Sequence, residues 1–174
     1  MFKMSDEDAD YPAMIMANYI LGGTFSARLV TRIRHKEGLS YGVGSQINVP
    51  VKDDGATFLA FAISNPENAP KVEASFMDEV ALTIKGGFTA EELTAAKKSW
   101  AEERLVGRSQ DGSLTRLLAS RARWGRTMQF DQDLESKVAG LTLDQVSAAL
   151  GKAISPTGLI YVKAGDFKKA GVYQ

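Results

Sequence analysis

Arg34 and Tyr41 are the two side chains best suited by type and spacing to act together on a ligand. The guanidinium of an arginine is a fixed fork of donors that fits a backbone carbonyl or a carboxylate. A tyrosine adds one hydroxyl on a rigid ring. The run between them, Ile33-Arg34-His35-Lys36-Glu37-Gly38-Leu39-Ser40-Tyr41, reads as a helix end, a glycine stop and the start of a strand, which holds cation and phenol at short range. Gly42 and Gly44 follow on the strand; they either relieve crowding or let a peptide backbone approach a sheet edge. On spacing alone a plainer account of the same residues is favoured. Arg34 would then be a solvated helix residue, and Tyr41 would pack in the sheet, since strict alternation puts it on the apolar face with Val43 and Ile47.

Other chemistries are narrowed by what the chain lacks. It has one histidine, His35, and no cysteine. A catalytic zinc usually takes three protein ligands, mostly histidine with a carboxylate or cysteine, so this chain is expected to carry no metal site of its own. Thiol catalysis and disulfides are excluded. A Ser-His-Asp triad would have to use His35, whose place near a helix end suits it poorly. The 174 residues carry 21 Lys plus Arg against 21 Asp plus Glu, so no net field favours nucleic acid or an anionic membrane. There is no apolar run long enough to span a bilayer. Arg28, Arg32, Arg34 and Lys36 read as a solvated helix face. Arg116, Arg121, Arg123 and Arg126 around Trp124 read as a surface or interdomain face with a cation–π contact available. Asp53 and Asp54 read as turn residues.

The elements that must position Arg34 and Tyr41 are legible in order. Phe2 to Ser5 reads as the tail of a strand. A helix begins near Asp10, with Pro12 in its first turn, and ends at Gly22-Gly23. Thr24 and Ser26 are possible N-caps for the next helix, on which Leu29 and Ile33 form an apolar stripe and which Gly38 terminates in a left-handed conformation. Tyr41–Val49 alternates as a half-buried strand. A turn at Lys52–Gly55 leads to a nearly all-apolar strand, Ala56–Ser64, expected to pair with the first as a hairpin and to lie centrally in its sheet. Pro70–Lys85 repeats apolar residues every fourth position as a helix. Thr89–Glu92 and Thr142–Gln145 are capping boxes opening two more. Gly107–Gly112 interrupts the helical pattern, which resumes at Leu114 and ends near Gly125. Leu159–Lys163 is expected as a last strand. The grouping of strands and helices predicts a single α+β domain over residues 1–174, with helices covering one face of a largely antiparallel sheet.

Leu21-Gly22-Gly23, Ser26-x-Arg28-Leu29 and Ile33-Arg34-x-Lys36-x-Gly38-Leu39-Ser40-Tyr41 together resemble the zinc metallopeptidases of the pitrilysin and mitochondrial-processing-peptidase family, in their second, metal-free domain. The resemblance implies a split α+β sandwich. It implies that the chain is a fragment, or the metal-free half, of a larger zinc peptidase, with zinc on a partner domain or subunit bearing an HxxEH motif. It further implies that Arg34 and Tyr41 contact a bound peptide or protein substrate beside that zinc, with Gly42 and Gly44 in the same binding surface and Tyr41 stabilising the transition state. The chain alone is then expected to be inactive. Two rival functions are a structural homologue that scaffolds a complex without proteolysis and a peptide-binding module acting alone. Nucleic-acid and membrane partners are not expected. The bacterial periplasm is the expected compartment, with the cytoplasm as the alternative.

Overall fold

The computed structural model describes residues 1–173. Helix α1 (Tyr11–Asn18) opens after Asp10 with Pro12 in its first turn, where a missing N–H loses no helical hydrogen bond. Its apolar residues are not confined to one face: Pro12, Ala13, Met14, Met16 and Ala17 are all buried. A helix that is apolar all round belongs inside the molecule. The chain then widens into a π-helical turn, Tyr19–Gly23, and leaves it in extended conformation at Thr24. A second π-type helix, Val30–Lys36, carries Arg32 and Arg34 and continues from the helical residues Arg28 and Leu29; we call the whole stretch the arginine helix. π-helical turns are uncommon and are often found at functional sites.

Leu29 and Ile33 are fully buried, as the apolar stripe predicted. Gly38 takes the expected left-handed conformation at φ 63°. The N–H of Leu39 reaches back 2.9 Å to the Ile33 carbonyl and closes the helix end. Neither Thr24 nor Ser26 caps this helix; the two hydroxyls lie 3.5 Å apart, and the Ala27 N–H is taken by the Thr24 carbonyl in a tight turn.

Strands β1 (Gly42–Asn48) and β2 (Thr57–Ile63) form the expected antiparallel hairpin, with Gly42 opposite Ile63, Gly44 opposite Phe61 and Ile47 opposite Phe58. Two expectations fail here. The all-apolar composition of β2 predicted a central strand, yet among the described residues β2 pairs only with β1. A single bridge from Phe2 to Ala56 precedes it. Leu59, Phe61 and Ile63 are consequently each about half exposed. Leu159–Lys163 is not a strand. Its alternation is real, since Leu159 packs on the core and Tyr161 meets Phe76 edge-on at 6.1 Å. Ile160 and Val162 point outward, 90% and 89% exposed. A strand also needs a hydrogen-bonded neighbour, and none of the described residues supplies one.

The rest is helical: α2 (Ala69–Gly86), α3 (Ala90–Arg108), α4 (Asp111–Arg123), α5 (Gln129–Gly140), α6 (Leu143–Ala153) and a short α7 (Phe167–Ala170). Both capping boxes form as read, Thr89 with Glu92 on α3 and Thr142 with Gln145 on α6. The glycine-bounded interruption is a short break at Ser109–Gln110 between α3 and α4. Helix α5 was not legible beforehand. It has no side-chain cap and buries only Leu134, Val138 and Asp131. Helix α1 lies among α3, α5 and α6, and the core runs from Met14 and Leu21 through Ile33 and Val80 to Val146 and Leu150. The fold is α+β, a small antiparallel sheet under a helical layer.

Candidate functional site

A shallow open groove of about 330 Å³ runs between the arginine helix and the hairpin. Phe25 and Arg34 form one wall; Gly42, Gly44, Ser45 and Phe61 form the other. The groove exists because small residues let three segments meet. Gly22 lies so close to β1 that a Cβ built on it would stand 2.4 Å from Ser45 Oγ and 2.9 Å from the Ser45 nitrogen. Ser45 itself donates to Asn18 Oδ1 at 2.8 Å, which ties β1 to the end of α1. At Gly44 an added Cβ would meet the Phe61 ring at 3.1 Å and 3.2 Å, so this glycine relieves crowding. At Gly42 the nearest atom would be a methyl of Ile63 at 3.6 Å, an ordinary contact. Of the two, Gly44 alone is required by its neighbours.

Arg34 is exposed and, among the described residues, makes no ion pair. Its guanidinium carbon stands 4.9 Å from the centroid of the Phe25 ring. Its neighbours on the same helix differ. Arg28 grips Glu92 of α3 with two bonds of 2.6 Å. Arg32 reaches Glu37, Asp78 and Glu79. The expected solvated face is therefore corrected: Arg28 and Arg32 hold the arginine helix onto α2 and α3, because their forks meet carboxylates presented by those helices. Arg34, His35 and Lys36 are the basic residues left outward.

Tyr41 is also corrected. Strict alternation assigned it to the apolar face, but it is 71% exposed and precedes the first residue of β1. Ser40 is the reason. It is 7% exposed, donates to the Ile63 carbonyl at 2.6 Å and accepts the Gly42 N–H at 3.3 Å. With Ser40 turned inward as the pin between the two strands, the next side chain turns out. The Tyr41 backbone N–H still reaches the Ile63 carbonyl at 3.3 Å, so the ring is presented from an anchored backbone. The structure brings Arg34, Gly42 and Gly44 to one groove; the Tyr41 side chain is not part of its lining. Sequence reasoning missed Ser40, Phe25 and the Asn18–Ser45 tie. Only Phe25 left a signal, as a large apolar residue in a turn.

The second arginine cluster is divided: Arg116 and Arg123 are exposed, as a surface face would be, while Arg121 and Arg126 are tied to acids. Arg121 and Arg104 both bind Asp131, which is 1% exposed. Burial alone would raise the Asp131 carboxyl, but the two guanidiniums outweigh it and hold it below the usual carboxylate range. Arg126 pairs with the buried Asp6 and lies 4.1 Å over the Phe130 ring. Arg123 lies 5.7 Å over Trp124, the foreseen contact. No group of three or more His, Cys, Asp or Glu among the described residues could hold a metal ion. The donors beside the groove, one exposed imidazole and an arginine, do not fit zinc. Among the described residues no helix is long and apolar enough to cross a membrane.

The profile described as the peptidase M16 inactive domain matches residues 1–99, more than half of the chain. An uncharacterized zinc protease of Streptomyces coelicolor is 31% identical over 137 residues, covering 78% of this chain and 29% of that protein. The chain belongs to the M16 peptidase family, in its inactive domain. Among solved structures, the M16 inactive domain from Pseudomonas fluorescens superposes with a TM-score of 0.75 at 27% identity, over 89% of this chain and 37% of that one. A protease from Helicobacter pylori gives 0.77 at 19% identity, over 90% and 38%, which shows the fold alone. These sources are bacterial, and the chain spans about a third of the length of each of these three proteins.

Proposed function

We infer that this chain is the metal-free domain of a bacterial zinc metalloendopeptidase, binding peptide at the Arg34 groove and supporting hydrolysis at a zinc held by an HxxEH domain or subunit. The observation that carries this reading is an unpaired, exposed arginine at a glycine-walled groove, seven residues before an exposed tyrosine on anchored backbone. Arg34 keeps its N–H donors free for a backbone carbonyl or carboxylate of the peptide. Tyr41 offers one donor to the scissile carbonyl oxygen as negative charge develops there. A donor already in place stabilises the transition state more than the ground state. The glycine wall admits an extended backbone. The zinc supplies the activated water from the partner domain. We place the enzyme in the periplasm, with the cytoplasm as the alternative compartment.

Kinetics of Tyr41→Phe in the complete enzyme test the reading. The ring and its packing stay while one donor goes, and turnover is expected to fall about 10²–10³-fold. Wild-type turnover with a normal melt would return the chain to the scaffold reading.

A further inference from the structure

We propose that Phe25 is the positioning residue for Arg34, which rests on the reading of the groove given above. Phe25 is 66% exposed and is not part of the hydrophobic core. Its ring stands 4.9 Å from the Arg34 guanidinium carbon and 4.8 Å from the His35 ring, tilted by 52° to the latter. It stands on a short turn built for it. The turn follows the Gly22-Gly23 pair, is closed by the Ala27 N–H on the Thr24 carbonyl at 3.2 Å, and is held from the arginine helix by Thr31 Oγ1 on the Ser26 carbonyl at 3.3 Å. A large apolar side chain kept at the surface in this way, against one cation, is poorly explained by packing.

The geometry explains what such a contact achieves and an ion pair would not. A carboxylate partner would fix the guanidinium by taking its N–H edges, as Glu92 takes those of Arg28 at 2.6 Å. An aromatic face fixes the plane of the guanidinium and leaves the donors around its rim free. Phe25 thereby narrows the positions of a long, flexible side chain at the groove wall while every donor remains available to a peptide. Prior ordering of a clamp lowers what binding must order. The residue itself need not touch the substrate.

The test uses the complete enzyme, assembled with its zinc-bearing half, and quenched-fluorescent casein as the probe. Phe25→Leu is expected to raise KM about two- to five-fold, with kcat close to wild type, the span of an exposed cation–π contact. Phe25→Tyr, which keeps the aromatic face, should restore the wild-type KM. In an Arg34→Ala background, Phe25→Leu should add nothing, since the ring then has no guanidinium to hold. A thermal melt of each variant checks the fold. If Arg34→Ala raises KM and Phe25→Leu does not, positioning is wrong and the groove reading stands. If Phe25→Leu raises KM equally with and without Arg34, the ring meets the peptide itself and positioning is again overturned. If Arg34→Ala leaves both constants unchanged, the groove reading falls and this inference falls with it.

Discussion

The helical side of the molecule and the groove side use arginine in opposite ways. On the helical side Arg28, Arg32, Arg104, Arg108, Arg121 and Arg126 each meet at least one carboxylate, and Asp6 and Asp131 are buried among them. At the groove Arg34 has only an aromatic face, beside glycines and a half-exposed Phe61. Lack of a carboxylate does not by itself mark a site: among the described residues Arg116 bonds only to Ser113, and Arg123 lies over Trp124. What sets Arg34 apart is the groove. The contrast teaches that the same residue is structural where its donors are taken by the protein's own acids, and available where they are not.

The largest effect expected on the structural side is at Asp131. Asp131→Asn removes the charge that two guanidiniums share and leaves both cations without their buried partner. Breaking such a pair costs about 3–5 kcal/mol, and chemical denaturation should show a loss of that size. Arg104 also binds Glu135 at 2.7 Å, so a loss under about 1 kcal/mol would mean that Arg121 too is compensated elsewhere, and would blur the contrast. Acid should act on the same groups. Asp131 and Glu92 are both held below the usual carboxylate range, burial being outweighed by Arg121 and Arg104 in one case and by Arg28 and Thr89 in the other. A carboxyl with a lowered folded-state pKa adds stability above its unfolded pKa and loses it as pH falls through the folded one. Stability should therefore be level above about pH 5 and decline below about pH 4. Melting temperature against pH, with Asp131→Asn as reference, would show whether that variant has the shallower acid limb.

On the groove side the sensitive feature is close packing. Gly22→Ala would place a methyl against both the hydroxyl and the backbone nitrogen of Ser45. The backbone cannot move away without disturbing β1, so a cost of about 1–3 kcal/mol is expected. Gly42→Ala, with only ordinary contacts, should be close to neutral by comparison. Equal melts for the two variants would show that β1 shifts freely on the glycine turn, and that the groove wall is softer than its distances suggest.

The parts of this arrangement legible in the sequence were those with local signals. Capping boxes, the Gly38 stop, the Leu29–Ile33 stripe and the hairpin all depend on residues close in the chain. The misses depend on distant partners. Nothing near Arg28 or Arg32 announces Glu92, Asp78 or Glu79, so a paired face reads as a solvated one. Alternation carried Tyr41 inward because it cannot register that Ser40 is pinned to Ile63, far along the chain. The edge position of β2 and the unpaired Leu159–Lys163 segment have the same origin: apolar patterning reports what a segment could bury, and only the fold determines which neighbour it has. Of the candidate residues, Arg34, Gly42 and Gly44 meet at one groove and the Tyr41 side chain lies outside its lining, while Phe25, which has no short motif of its own, was not singled out.

The smallest expected effect, at Arg34, gives the most direct test of the contrast, because it is read against a second arginine six positions away on one stretch of chain. Arg28→Ala leaves Glu92, the acidic member of the capping box on α3, without the guanidinium that holds it. Both side chains are largely shielded, and a charge-assisted bond of this kind contributes about 1.5–3 kcal/mol. Arg34→Ala removes no ion pair and no core contact; it loses a single exposed cation–π contact, so its stability should stay within about 0.5 kcal/mol of wild type. Paired melts of the two variants read the difference without any substrate or partner domain. If Arg34→Ala destabilised the chain as much as Arg28→Ala, Arg34 would be one more structural arginine and the groove would lose its free cation. If Arg28→Ala were silent as well, the ion pairs on the helical side would contribute little, and pairing would no longer distinguish the two sides.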